Sequence, residues 1–248
     1  METKDYLALY TGMGLCPIPV SNDKRPLISS WQHLASSDLK LTLDLFEKFD
    51  NPNIGLVMGP KSKMFALDID RKGGKDGLEA ILKAYPEAKF SKTTLKAKTP
   101  NNGIHVFYEW DNNIPLTSHV NALSGVDLKG ARSFVMAEPS KILVDGQWKQ
   151  YEFNDIALAP APIPDWLKNL SSKVLTKKIA RFDPTQIMHG VHESDRDNSL
   201  FRYCCHLRGL GIEYSLAVGF IRQAAALCIP PFPEQIAVEK IQRAYDKI

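Results

Sequence analysis

The sequence predicts an α+β protein, in which a mixed β-sheet with helices packed on it is followed by a small all-helical region. Two observations support this class. Up to about residue 160, short apolar runs are bounded by Gly, Pro and Asn and surround one clear helical pattern. From residue 192 onward the apolar spacing is helical throughout.

A proline-rich break at residues 157–164 divides these two regions, and a basic, weakly periodic stretch follows it. We therefore expect a first domain at residues 1–167, one short helix around Trp166-Leu167, a linker at 168–190 and a helical bundle at 191–248. The last helical pattern runs to the end of the sequence without a stop signal, so we expect the natural protein to continue.

Five apolar runs predict the strands of the first domain, at residues 15–20, 54–58, 64–69, 104–110 and 134–137. Residues 76–85 predict a helix, because Leu78, Ile81, Leu82 and Tyr85 recur at helical spacing. The strands are short and unevenly spaced, which favours a mixed sheet with hairpins over a regular doubly wound sheet.

The composition is that of a soluble globular protein, with 44% hydrophobic and 24% charged residues. No apolar run approaches the roughly 20 residues that a membrane helix needs, and the first residues do not resemble a secretory signal. The four cysteines show no paired spacing, which predicts reduced thiols and a cytoplasmic location. The net charge of +3 is only weak evidence for an acidic partner.

Two carboxylates at the end of the apolar run 64–69 are the strongest functional signal. Asp68 and Asp70 are two residues apart, so on a strand they point to the same face, roughly 6.5–7 Å apart. Such a pair needs compensation, and Mg²⁺ or Mn²⁺ takes oxygen ligands of this kind. Phosphatases of the haloacid dehalogenase type use a similar pair followed by small residues, but Arg71 and Lys72 follow here and argue against that class.

Two further elements carry chemistry downstream. His105 follows the turn Asn102-Gly103, whose backbone amides can form an anion-binding concavity. Asp127 lies in a short predicted strand between glycines and can supply a third carboxylate, with Lys129 on the same face. His189, His192 and Cys204-Cys205-His206 fit no common zinc spacing, so we expect no zinc.

The order of these elements resembles the catalytic core of primase-polymerases in the archaeo-eukaryotic primase superfamily. Further segments are similar to the bifunctional primase-polymerase domain of plasmid, phage and mobile-element replication proteins, over roughly residues 5–167. These segments are residues 6–14, Pro17, Lys24-Arg25-Pro26, Trp31, 53–59, Glu138-Pro139-Ser140, Gly146 and Tyr151. The region from His192 resembles the small helical domain that follows this core, through Arg196, Asn198, Leu200, Arg208 and Gly211.

The resemblance implies a DNA primase and DNA polymerase that adds nucleotides on a single-stranded DNA template. Asp68, Asp70 and Asp127 would hold two Mg²⁺ or Mn²⁺ ions. His105 would bind the triphosphate of a dNTP or NTP, and the further candidates for nucleotide binding are Lys129, Asn101, Thr99 and Lys24. Family members often carry Ser-Gly-Gly before the histidine, so Asn101 or Thr99 must replace that serine here, or nucleotide binding is weaker.

The resemblance also implies contacts with the template. Arg196, Asn198 and Arg202 of the helical domain are the candidates, together with Trp31, and a helicase domain or subunit is a candidate partner. Helix capping and a solvated basic face explain the helical-domain residues equally well. Two alternatives stay open: a catalytically inactive replication module that binds single-stranded DNA, and a glycosyltransferase that uses Asp68 and Asp70 to hold a metal and a sugar nucleotide.

Overall fold

The computed structural model describes residues 2–71, 73–179, 183–193 and 195–246. The chain divides into two compact units, Met1–Lys177 and Lys178–Ile248. The first unit combines helices with antiparallel sheets and the second is helical, so the predicted α+β class with a C-terminal helical region is confirmed. Lys72, which together with Arg71 argued against the phosphatase class, lies outside the described residues.

The first unit contains five helices and eleven strands among its described residues. The helices are α1 (Thr3–Gly12), α2 (Trp31–Leu34), α3 (Leu39–Phe46), α4 (Gly77–Ala84) and α5 (Asp165–Ile179). The strands are β1 (Pro17–Val20), β2 (Asn53–Val57), β3 (Met64–Ile69), β4 (Lys96–Lys98), β5 (Ile104–Glu109), β6 (His119–Leu123), β7 (Val126–Lys129), β8 (Phe134–Met136), β9 (Lys141–Val144), β10 (Gln147–Gln150) and β11 (Glu152–Phe153).

The described residues form three sheets, and the strand pairs of these sheets are antiparallel. The largest has six strands in the order β11-β4-β5-β3-β7-β6, so β3 is central and is paired on both sides. A three-stranded sheet has the order β1-β2-β8, and β9 pairs with β10 as a hairpin.

Strand β3 separates two hydrophobic cores, because both of its faces are covered. Phe65, Leu67 and Ile69 pack into one core. Met64 and Ala66 on the opposite face pack into the other. Asp68 continues the face of Met64 and Ala66, since residues two apart share a side. The apolar face of β3 therefore changes to a carboxylate at Asp68.

Helix α5 occupies much of the segment that was expected to be a linker. Trp166, Leu167, Leu170 and Val174 are buried in the same core as Phe65. These apolar residues recur at helical spacing, whereas exposed polar residues such as Lys173 cover the outer face. The short helix expected around Trp166-Leu167 is therefore part of a longer amphipathic helix, whose extent the basic outer face concealed.

The second unit consists, in its described part, of α6 (Thr185–Met188), α7 (Arg196–Gly209), α8 (Tyr214–Leu227) and α9 (Glu234–Tyr245). Its core is formed by Leu200, Cys204 and Leu207 of α7 with residues of α8 and α9. Among the residues that the structure describes, no helix combines the length and the apolar character that crossing a bilayer requires.

Ser140 provides a test of the first unit's packing. Its buried hydroxyl accepts a hydrogen bond from the Ile54 amide at 2.8 Å and donates one to the Ile54 carbonyl at 3.0 Å. Ser140→Ala leaves both backbone groups of Ile54 without this partner, so the free energy of unfolding should fall by about 1–3 kcal/mol. Urea denaturation measures the change, and Ser37→Ala at an exposed position serves as the control. Equal stability of the two variants would contradict this account.

Candidate active site

Three predicted residues lie side by side on three neighbouring strands. Asp68 on β3 is directly opposite His105 on β5 and directly opposite Asp127 on β7. Residues opposite each other in antiparallel strands place their side chains on the same face, with Cβ atoms about 4.5–5.5 Å apart. The order His105, Asp68, Asp127 across the sheet is therefore fixed by strand register.

Asp70 follows β3 and is held by its backbone. Its amide donates to the Gly125 carbonyl at 2.8 Å, and its carbonyl accepts from the Gly77 amide at 2.9 Å. A Cβ on Gly77 would overlap the Gly125 carbonyl, and a Cβ on Gly103 would lie 2.6 Å from the Ile69 carbonyl oxygen. Three glycines thus allow the chain to close tightly around Asp70.

Helix α4 begins immediately beside this point. Asp76 caps it by accepting hydrogen bonds from the amides of Leu78 and Glu79. The other carboxylate oxygen of Asp76 accepts two hydrogen bonds from the Arg71 guanidinium, at 2.8 and 3.1 Å. Arg71 therefore stabilises the turn between β3 and α4.

The turn before β5 is closed by Thr99. Its hydroxyl oxygen accepts from the Gly103 amide at 3.0 Å, and the Thr99 amide donates to the Gly103 carbonyl at 3.0 Å. Asn102 has a positive φ of 61° in this turn, which asparagine tolerates better than most residues. Thr99 is buried while Asn101 is half-buried, so Asn101 is the more accessible of the two candidate replacements for the family's serine.

A cleft of about 460 Å³ brings the predicted residues together. All nine candidates from the first domain line it: Lys24, Trp31, Asp68, Asp70, Thr99, Asn101, His105, Asp127 and Lys129. Six further residues that were not predicted as site residues also line the cleft: Arg132, Ser133, Phe134, Val135, Met136 and Tyr151. Arg132 and Phe134 lie within seven residues of Asp127 in the sequence, and this proximity could have indicated that they belong to the same site.

Lys129 compensates the carboxylates. Its ammonium lies 2.8 Å from Asp127 Oδ2 and 3.6 Å from Asp68 Oδ2. Burial acts to lower the pKa of Lys129, but the two carboxylates outweigh burial and raise its pKa above the ordinary value. Asp127 Oδ1 also accepts from the Asn121 amide at 2.8 Å. Lys129 is therefore charged and held between two strands.

His105 is enclosed beside this ion pair and is only 5% exposed. Its Nε2 lies 3.5 Å from Asp68 Oδ1, and Nδ1 has no hydrogen-bond partner among the described residues. The Tyr151 ring stacks on the imidazole, with 5.8 Å between the two ring centres. The Lys24 ammonium lies 5.8 Å from the centre of the Tyr151 ring. Burial lowers the pKa of His105, which favours the neutral imidazole at neutral pH.

An aromatic pair forms another part of the cleft wall. Trp31 and Phe134 meet edge to face, with ring centres 5.5 Å apart and planes at 81°. Both side chains are half-buried, so each retains accessible ring surface. The cleft therefore offers carboxylates, cations and flat apolar surface within one cavity.

The carboxylates fit a divalent ion by their chemistry. In the described part of the chain, no three His, Cys, Asp or Glu side chains are grouped closely enough to hold an ion. Mg²⁺ is usually bound through one or two carboxylates together with waters and substrate phosphates, so such a group is not required. Lys129 supplies the cation that Asp68 and Asp127 contact here, and an ion at these oxygens would replace its ammonium.

The predicted DNA contacts of the helical unit differ in their surroundings. The Arg196 guanidinium donates to the Pro230 carbonyl at 2.6 Å and to Glu193 at 3.1 Å, and its side chain is only 16% exposed. Arg196 thus stabilises the unit itself. Asn198 and Arg202 are exposed and lie one turn apart on α7. Their role in binding DNA stays a prediction.

Comparison with known proteins identifies the family. The family model for the N-terminal domain of bifunctional DNA primase/polymerases matches residues 5–166 and includes every residue that lines the cleft. The chain therefore belongs to the bifunctional DNA primase/polymerase family, as the sequence motifs predicted. At the family level this supports a primase/polymerase nucleotidyltransferase with DNA and nucleotides as substrates. No curated protein matches the chain.

Gly77 tests how Asp70 is held. Gly77→Ala forces the new Cβ against the Gly125 carbonyl, which accepts the Asp70 amide. Overpacking of this kind lowers the free energy of unfolding by about 1–3 kcal/mol. Gly12→Ala is the matched control, because a Cβ there meets no atom within 4 Å. Urea denaturation compares the variants, and unchanged stability of Gly77→Ala would show that the close packing is unnecessary.

Proposed function

We propose that this chain synthesises and extends primers on single-stranded DNA as a template-dependent nucleotidyltransferase with two Mg²⁺ or Mn²⁺ ions. The observation that carries the proposal is the alignment of His105, Asp68 and Asp127 across β5, β3 and β7, with Asp70 at the end of β3. Membership in the primase/polymerase family supports the same chemistry.

The carboxylates of Asp68, Asp70 and Asp127 would hold the ions. Once bound, the ions supply a lowered pKa for the attacking hydroxyl and charge stabilisation for the pyrophosphate leaving group. Asp127 suits this role, because the hydrogen bond from the Asn121 amide fixes Oδ1, while Oδ2 accepts from the Lys129 ammonium at 2.8 Å.

The cations of the cleft would bind the triphosphate. When the ions replace the Lys129 ammonium at Asp68 and Asp127, the Lys129 side chain would turn to the phosphates. Its positive charge would then bind the triphosphate. Lys24 and Arg132 line the same cavity and carry the same charge. His105 would contact the triphosphate through Nε2, which lies 3.5 Å from Asp68 Oδ1, and the stacked Tyr151 ring holds the imidazole in one orientation.

The aromatic pair would position the base. A nucleobase can stack on the accessible ring surface of Trp31 or Phe134, and such stacking tolerates all four bases. This tolerance suits an enzyme that takes its sequence instructions from a template. We also propose, from the sequence resemblance, a cytoplasmic replication protein of a phage, plasmid or mobile element that acts with a helicase.

One observation favours the inactive-module alternative. Lys129 already neutralises part of the charge of Asp68 and Asp127, so these carboxylates have a counter-charge that is not a metal ion. A vestigial site predicts no metal-dependent binding of a dNTP, whereas an active site predicts such binding by isothermal titration with Mn²⁺. No structural observation favours the glycosyltransferase, and the family match favours polymerase chemistry over it.

Asp68→Asn tests the proposed chemistry. The change removes a charge from the centre of the row and keeps the side-chain shape. A divalent ion supplies several kcal/mol of charge stabilisation, so extension of a labelled primer on single-stranded DNA should fall at least about 100-fold. Asp44→Asn on the exposed surface of α3 is the matched control and should keep its activity. Full activity of Asp68→Asn would contradict the proposed role of this carboxylate in catalysis.

Lys129→Met tests the competition between the ammonium and the ion. Without the ammonium, Asp68 and Asp127 lose their nearest cation, so Mn²⁺ binding in the absence of nucleotide should tighten by about tenfold, or about 1.4 kcal/mol. Electron paramagnetic resonance of free Mn²⁺ measures this affinity directly. Weaker or unchanged Mn²⁺ binding in Lys129→Met would show that the lysine does not occupy the ion's place.

A further inference from the structure

The first unit contains a second and larger cleft, of about 790 Å³, that includes none of the carboxylates described above. It lies between the start of α1, the start of β2 and the β9–β10 hairpin. Its lining is formed by Glu2, Thr3, Lys4, Tyr6, Asn22, Asn51, Pro52, Asn53, Ile54, Pro139, Ser140, Lys141, Trp148 and Gln150.

The β9–β10 hairpin presents an exposed apolar pair at this cleft. Trp148 is directly opposite Leu143, and these side chains are 58% and 59% exposed. The other face of the hairpin packs inward, because Ile142 is buried in the core beneath the sheet β1-β2-β8. Trp148 is therefore held on a rigid hairpin with its ring in solvent.

The remaining surface of the cleft is polar and rich in amides. Asn22, Asn51, Asn53 and Gln150 line it together with two lysines and one glutamate. Lys141 is exposed, while its backbone is fixed by two hydrogen bonds of 2.9 Å with the Asn53 amide group. Lys141 and Trp148 share one face of the hairpin, since Lys141 is two residues from Leu143, which is directly opposite Trp148.

The two clefts share their dividing wall. Lys24 lines the carboxylate cleft and Asn22, two residues earlier, lines the second cleft. Likewise, Tyr151 lines the carboxylate cleft and the preceding residue, Gln150, lines the second cleft. The loop that carries Lys24 is held by hydrogen bonds between Ser21 and Arg25, so this wall has a defined shape.

We infer that the second cleft binds a segment of single-stranded polynucleotide that continues from the carboxylate cleft, with a base stacked on Trp148 and a phosphate paired with Lys141. The inference rests on the proposed function, since a template or product strand must leave the site of nucleotide addition. An aromatic platform combined with cations is the arrangement that binds single strands without regard to sequence.

A protein partner fits this surface less well. Trp148 is the large apolar side chain of the lining that is most exposed, and lysine, which lines the cleft at Lys4 and Lys141, is depleted in the cores of protein interfaces. The exposed amide side chains of Asn22 and Asn51 can hydrogen-bond with base edges and phosphates, which a strand offers along its whole length. The chemistry of the cleft therefore matches a nucleic acid strand.

Binding of a fluorescein-labelled oligothymidylate, measured by anisotropy with EDTA present, tests the inference. Trp148→Ala should weaken binding at least about fivefold, and Trp148→Phe should keep most of it, because stacking on one aromatic ring contributes about 1–3 kcal/mol. Lys141→Gln should reduce the slope of log affinity against log salt by about 0.7. Lys83→Gln, at an exposed position of α4 outside both clefts, is the charge-matched control.

Photocrosslinking gives a readout that does not depend on a variant. An oligonucleotide carrying 5-iodouracil should crosslink to the peptide that contains residues 141–150. Wild-type affinity of Trp148→Ala, or crosslinks confined to other peptides, would overturn the inference. Loss of self-association in Trp148→Ala with unchanged oligonucleotide binding would assign the surface to a protein and would also overturn it.

This experiment separates the inference from the proposed function. Oligonucleotide binding in EDTA needs neither a metal ion nor nucleotide addition. A chain that binds oligothymidylate through Trp148 and fails to extend primers would contradict the enzyme alone. A chain that extends primers normally, with binding unaffected by Trp148→Ala, would contradict the second cleft alone.

Discussion

The pairing of β3 on both sides is the constraint on which the rest of the first unit depends. One register sets β5 against β3 and another sets β7 against it, and these registers place His105 and Asp127 on either side of Asp68. A slip of one residue in either pair would turn the partner side chain to the other face of the sheet. The two hydrophobic cores on either side of β3 oppose such a slip, because it would expose apolar residues.

The central position of β3 also creates an electrostatic problem that Lys129 resolves. Half-buried carboxylates on adjacent strands repel each other, and the repulsion grows as water is excluded. Lys129 lies two residues after Asp127, so the strand that contributes the second carboxylate also contributes its counter-charge. The same short strand, β7, therefore supplies both a carboxylate that can bind a cation and the lysine that neutralises this carboxylate when no ligand is bound.

Much of this site was predictable from the sequence, because its central residues lie in local patterns. Apolar runs predicted β3, β5 and β8, and Asp68 and Asp70, which the sequence analysis paired by their spacing, line the same cleft. Tyr151 was not predicted as a site residue, because it approaches His105 only through the tertiary fold. The same reason explains Trp148, whose exposure depends on which face of the hairpin packs inward. The helix expected around Trp166-Leu167 was predicted too short, because the lysines of α5 concealed a regular apolar stripe.

The three glycines around Asp70 show that the site depends on positions without a side chain as well as on functional groups. Gly77 and Gly125 bring two backbone segments to Asp70, and Gly103 lets the turn before β5 approach Ile69. Each glycine comes from a different segment of the chain, so no single local motif contains this information. Grafting the three carboxylates onto another antiparallel sheet would therefore fail to reproduce the position of Asp70 unless the design also left these spaces empty.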